Sequence, residues 1–154
     1  MTALQGAPGA PTNLLVVVVA NILVVAVAVA IHYEFLSRLS AYKPSPHFQH
    51  RVGIVFGVFG ALTAHAVEVW VFAFAYYFMH HTPGWGELAG EFGGSLLDCA
   101  YFSFTTFTTV GFGDIHPVGP IRFLTGIEAL TGLVLITWTA SFLFLEMQRH
   151  WKVR

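Results

Sequence analysis

The residues best suited to chemistry lie at 105–114, Thr-Thr-Phe-Thr-Thr-Val-Gly-Phe-Gly-Asp. Gly111 and Gly113 alternate with Val110 and Phe112, and glycine takes left-handed backbone without steric cost. An extended segment of alternating unusual dihedrals can aim successive carbonyl oxygens at one axis. Oxygens so gathered replace the water around a dehydrated cation. Thr109 adds a hydroxyl at one end of the run, and Asp114 adds a carboxylate at the other. A carboxylate at a mouth raises the local cation concentration. The chemistry is coordination and release of an ion.

A second set of groups is ionisable. His65 and Glu68 are three apart and share a helix face. Both fall in an apolar stretch, as does Glu128 further on. Such groups in a membrane span are costly and are functional candidates by default. Three readings stay open. Glu128 could hydrogen-bond the back of a short helix near Thr105, His65 and Glu68 could form a proton-sensitive pair, or all three could be neutral structural groups. The chain has eight histidines, which titrate near neutrality. His32, His47, His50 and His150 fall on one side of the expected membrane, and His80, His81 and His116 on the other. Interfacial anchoring competes with a pH response. His80 and His81 could take up a metal, but no third ligand is evident. The single cysteine, Cys99, has no thiol partner within the chain and reads as a small buried hydrophobe.

The elements that position these residues read as membrane helices. Hydrophobic residues make up 56% of the 154 and charged residues 10%, against about 25% charged in soluble domains. The net charge is −1 with no basic run, so nucleic-acid binding has no electrostatic footprint. Leu14–Ile31 is apolar apart from Asn21 and approaches the roughly 20 residues of a transmembrane helix. No Lys or Arg precedes it, which argues against a signal peptide. Residues 32–51 read as a polar linker broken at Pro44 and Pro46. Val52–Phe78 is a second span, with small residues at Gly53, Gly57 and Ala61 and at Gly60 and Ala64. That spacing lets helices approach closely in lipid. Ile121–Leu145 is a third, opened by Pro120.

Between the second and third spans, Ser95 and Asp98 match a capping box. The helix they open should end near Phe107, after roughly 20 Å, too short to cross. The non-helical stretch beyond it survives at membrane depth only if buried in protein or lining a watery path. An ordinary glycine turn at the end of a surface helix is the bland alternative. The dipole of the short helix places its negative end toward the membrane centre, which favours a waiting cation.

Basic residues set the orientation. Arg38, Lys43 and Arg51 lie in the linker and Arg149, Lys152 and Arg154 in the tail, while residues 79–120 carry Glu87, Glu91, Asp98 and Asp114 without Lys or Arg. The positive-inside rule then puts linker and tail in the cytoplasm and the N-terminus and the 79–120 loop outside. Tyr76, Tyr77 and Trp85 fit an outer aromatic belt, and Trp151 an inner one. The first span lacks repeated Arg or Lys and is not expected to sense voltage. Its expected role is packing against the second span, with Asn21 as interhelical glue.

Thr-Thr-Val-Gly-Phe-Gly-Asp, with the short helix before it and the flanking spans, resembles the pore domain of the potassium channel family, in a small bacterial-type form. The likeness runs over roughly 95–148. It implies that Thr109, Val110, Gly111, Phe112 and Gly113 form a selectivity filter, with potassium held at Thr109, Val110, Gly111 and Phe112. It implies a homotetramer, with Val52–Phe78 as outer helix and Ile121–Leu145 as inner helix. Phe112 stands where tyrosine is commoner, which removes a bracing hydroxyl. Tyr101 and Phe102 occupy the place of an aromatic cuff. Thr105 stands where one relative carries a glutamate behind the filter, and Gly132 falls close to a hinge glycine, with Gly126 competing.

The expected protein is therefore an all-α membrane protein with three transmembrane helices, a re-entrant pore helix and a filter loop. Residues 1–51 hold the extra span and cytoplasmic linker, 52–148 the pore domain and 149–154 a short tail. The expected function is passive potassium conduction, not enzymatic, with K+ as transported ion and no organic cofactor. Expected partners are further copies of the chain and membrane lipid, with no nucleic acid and no soluble regulatory domain. The expected location is the plasma membrane. The rivals are a weakly selective cation channel, a proton- or metal-coupled carrier using His65, Glu68 and Glu128, and a non-conducting subunit.

Overall fold

The computed structural model describes residues 13–41 and 51–151. Its elements are α1 (Leu14–Ala41), α2 (Arg51–His80), β1 (Glu87–Gly90), α3 (Leu96–Phe107), β2 (Ile115–Val118) and α4 (Ile121–Trp151). Among the described residues, three helices are long and apolar enough to cross a membrane: Leu14–Ala41, Val55–His80 and Ile121–Gln148. The protein is a mostly helical membrane protein.

The first helix starts where the Asn13 side chain accepts the Leu15 N–H at 3.0 Å. It does not stop at Ile31 but runs on to Ala41, so the first ten residues of the expected linker are helix. Nothing between His32 and Ala41 is glycine or proline. The polar sequence there marks a change of surroundings, while the helix itself continues, with Glu34 and Arg38 forming an exposed pair four residues apart at 2.7 Å. Lys43, Pro44, Pro46, His47 and His50 of the expected linker, and Lys152 and Arg154 of the tail, lie outside the described residues.

α1 packs on both α2 and α4, and α3 sits between α2 and α4. Phe72, Tyr76, Phe107, Ile121, Leu124 and Leu135 form the buried centre. The small-residue spacing of α2 does bring neighbours close. A Cβ on Gly57 would stand 3.2 Å from Leu143 of α4, and one on Gly60 would stand 3.2 Å from Phe35 of α1. Two expectations fail. Tyr76 is fully buried rather than in a belt, because it faces α4. Asn21 is buried on α1, yet its amide has no hydrogen-bond partner among the described residues. Among the described residues it joins no helix pair through such a bond, and an unmet buried amide costs about 1–3 kcal/mol.

The two strands were not legible. β1 and β2 pair antiparallel, with Glu87 opposite Val118 and Gly90 opposite Ile115. Each has four residues, too short for an alternating pattern, and Pro117 argues against a strand. The strand pair closes tightly at its inner end. Gly90 has φ 99, and a Cβ there would overlap the Asp114 carbonyl.

Candidate ion-coordination site

The capping box at the head of α3 forms as the residues require. The Ser95 hydroxyl accepts the Asp98 N–H at 3.1 Å, and the Asp98 carboxylate accepts the Ser95 N–H at 3.3 Å. The helix ends at Phe107, and residues 108–114 contain neither helix nor strand. Thr109, Gly111 and Gly113 have φ 60, 51 and 84, while Val110 and Phe112 between them stay out of the left-handed region. Thr109 is the one non-glycine residue with positive φ among those described. Left-handed backbone costs a residue with a Cβ about 1–2 kcal/mol, so surrounding contacts hold the threonine there. An added Cβ at Gly111 or Gly113 would meet nothing within 4 Å. The glycines serve the dihedrals and not a tight contact.

Four contacts fix this segment. The Thr109 N–H donates to the Thr106 carbonyl at 2.9 Å, and the Gly111 N–H to the Thr105 carbonyl at 3.0 Å. The Glu91 N–H donates to the Asp114 carbonyl at 2.9 Å, which ties the strand pair to the far end. The Tyr101 hydroxyl donates to the Asp114 carboxylate at 2.7 Å. The Tyr101 ring also lies parallel to Phe112, centroids 6.4 Å apart. Phe102, its neighbour, is buried edge-on to Tyr76 at 5.0 Å.

The Tyr101 hydroxyl holds the Asp114 carboxyl below its usual value of 3.8. The hydrogen bond favours the ionised form, so it is fully present above that value and is lost as pH falls through the lowered one. Replacing Tyr101 by Phe removes it. The Asp114 titration midpoint is then expected to rise toward 3.8, read by carboxyl carbon NMR. An unchanged midpoint would show that the hydroxyl does not stabilise the carboxylate.

Behind the segment, Glu128 of α4 is fully buried. It accepts hydrogen bonds from the Tyr76 hydroxyl of α2 and the Ser103 hydroxyl of α3, each at 2.5 Å. Ser103 also lies 2.9 Å from the Val69 carbonyl. One carboxyl group therefore joins three helices. The expected partner near Thr105 is replaced by Ser103. Two residues turn a helix by about 200°, so Thr105 faces away from Glu128, and its hydroxyl donates to Phe102 at 2.9 Å.

Gly132 is a close-approach point. A Cβ there would overlap the Phe107 carbonyl, whereas Gly126 has open space around it. Gly132→Ala is expected to separate α4 from the end of α3 and to destabilise the chain by about 1–3 kcal/mol, the usual range for overpacking. Gly126→Ala should be neutral or better, since alanine favours helix. Thermal unfolding in detergent compares them, and equal midpoints would contradict the contact.

The remaining expectations divide. His65 and Glu68 do pair, Nδ1 to carboxylate at 2.9 Å, and a third residue joins them, His32, at 2.8 Å from the other oxygen. The linker reading hid it. His80 and His81 each bond backbone through Nδ1: His80 Nδ1 accepts the Leu88 N–H at 3.2 Å, and His81 Nδ1 bonds the Tyr77 carbonyl at 2.8 Å. Cys99 is buried and free, as expected.

Val110 and Phe112 are 57% and 70% exposed, although both are apolar. They border an open groove of about 530 Å³ whose other walls include Trp70, Leu97, Tyr101 and Phe104. Irregular backbone of this kind cannot face lipid and requires protein or water against it. Residues 64–149, from the middle of α2 through most of α4, match the family model described as ion channel. Searches of curated proteins and of solved structures found no match.

Proposed function

The chain belongs to the ion channel family, and from that premise we propose that it is a potassium-selective channel built from four copies around one axis. One observation carries the reading. Left-handed φ alternates along Thr109, Gly111 and Gly113, the pattern that turns consecutive carbonyl oxygens the same way. Four such strands surround an ion with oxygens in place of its hydration shell. Potassium is held at Thr109, Val110, Gly111 and Phe112, with Gly113 completing the run. Asp114 stands at the outer mouth and concentrates cations there.

Further features support it. α3 is short and points its negative dipole end at the same place. The exposed apolar groove beside Val110 and Phe112 matches the surface a neighbouring copy would cover. α2 then serves as outer helix and α4 as inner helix, with Thr105, Tyr101, Phe102 and Glu128 bracing the filter. The carrier alternative is weakened by Glu128, whose carboxyl is committed to Tyr76 and Ser103. The basic residues favour a cytoplasmic tail and an outward N-terminus in the plasma membrane.

Reconstitution in liposomes tests the proposal. Potassium flux should be passive, blocked by barium and carried by a particle of four chains. A particle of one chain, or flux that requires a proton or metal gradient, would overturn it.

A further inference from the structure

His32, Glu68 and His65 lie where α1, α2 and α4 meet, apart from the 109–113 segment. Glu68 is fully buried and spans the two imidazoles, one oxygen 2.8 Å from His32 Nδ1 and the other 2.9 Å from His65 Nδ1. The rings stack at 5.4 Å. Each residue offers one ligand atom, and these three lie within 4.8 Å of one another. On the far side both rings meet the same hydroxyl: Thr139 Oγ1 is 3.4 Å from His32 Nε2 and 3.1 Å from His65 Nε2. We propose that His32, His65 and Glu68 bind a divalent first-row transition metal, zinc by preference, with Thr139 orienting both imidazoles.

The donor set selects the metal class. Two imidazoles and a carboxylate suit zinc and its neighbours, whereas calcium and magnesium take oxygen ligands. A His and Glu three apart on one helix, completed from facing helices, is a known way for bundle cores to hold metals. Zinc ligands lie at about 2.0–2.1 Å, which sets tetrahedral donors about 3.3 Å apart. Reaching that spacing opens the two N–O contacts by roughly half an ångström and draws the two Nδ1 atoms together by up to about 1.5 Å.

Counting protons favours a bound cation. With neutral imidazoles and an ionised Glu68, both Nδ1 protons donate to Glu68, and both Nε2 lone pairs then face one hydroxyl with one proton. One buried nitrogen is left over. With a metal on Nδ1, both Nε2–H groups donate to the two lone pairs of Thr139, the ring-to-partner bond that metal-bound histidines usually make. An extra proton, on one imidazole or on the Glu68 carboxyl, would also close the count, and the experiment separates metal from proton.

The position gives α1 a task. His32 and Glu68 are fully buried, and the His65 side chain, 17% exposed, is the way in. His65 stands 5.7 Å from the Phe107 ring and His32 stands 5.1 Å from Trp138, so a bound metal links the extra helix to α4 and to the end of α3.

The test uses the full chain in detergent, stripped with chelator and titrated with zinc chloride at neutral pH. One zinc per chain is expected by calorimetry and elemental analysis, with a rise in unfolding temperature. His32→Gln and Glu68→Gln should each weaken binding at least a hundredfold. Thr139→Val should weaken it about tenfold with the stoichiometry kept. His80→Ala with His81→Ala should bind as the parent does. X-ray absorption of the unmodified protein should show two imidazoles and oxygen around zinc, which tests the site even if a variant misfolds. No zinc at equimolar titration, the result expected of a proton-only cluster, or binding that ignores His32→Gln, would overturn the proposal. The site does not rest on the channel reading: zinc bound by chains that pass no potassium would sink the channel alone, and potassium conducted by chains that bind no zinc would sink the site alone.

Discussion

Gly111→Ala is expected to abolish potassium flux while leaving the chain folded. Gly111 has φ 51, and a Cβ there would meet nothing within 4 Å. The substitution therefore strains the backbone without displacing a neighbour. Holding alanine in the left-handed region costs about 1–2 kcal/mol. In the proposed ring of four chains the penalty becomes about 4–8 kcal/mol, and every 1.4 kcal/mol is tenfold. The ring with all oxygens aligned should fall in population by about three orders of magnitude or more. Each chain can relieve its strain by rotating one peptide, which points a carbonyl oxygen away from the axis. Liposome flux should drop to background, while circular dichroism and the thermal midpoint stay close to the parent's. Undiminished flux would mean that the backbone of this segment does not carry the ion.

Glu128→Ala has the largest expected effect on stability. It removes the acceptor for Tyr76 and Ser103, both buried. Each hydroxyl left without a partner costs about 1–3 kcal/mol, and the lost side chain leaves a cavity as well. Ser103 retains the Val69 carbonyl as an acceptor, so the larger share falls on Tyr76. A total near 3–5 kcal/mol follows, enough to threaten folding at typical stabilities. Glu128→Gln keeps the volume and one acceptor oxygen, and should lose about 1 kcal/mol. Thermal unfolding of the two variants in detergent checks the ordering. If Ala and Gln cost the same, the carboxyl oxygens do not hold the three helices together.

The parts legible in advance were those that local rules dictate. Ser95 and Asp98 announce the head of α3, because a cap is written in two residues. Gly111 and Gly113 announce left-handed backbone, because little else takes it cheaply. The left-handed Thr109 was not announced, since only its neighbours hold it there. Ser103 was missed as the partner of Glu128 because the choice between Ser103 and Thr105 depends on helix rotation, which sequence does not display. Tyr76 was placed at an interface because an aromatic near a helix end fits either a belt or a core. His32 was lost with the linker: polar residues between His32 and Ala41 mimic a loop, yet without glycine or proline the helix continues. The strand pair escaped because strands of four residues leave no period.

The reversal potential in a potassium/sodium gradient tests the central claim most directly. If four aligned strands of carbonyl oxygens replace the hydration shell of potassium as proposed, currents through reconstituted chains should reverse at the potassium equilibrium potential. Reversal near zero, with sodium passing as readily as potassium, would contradict it.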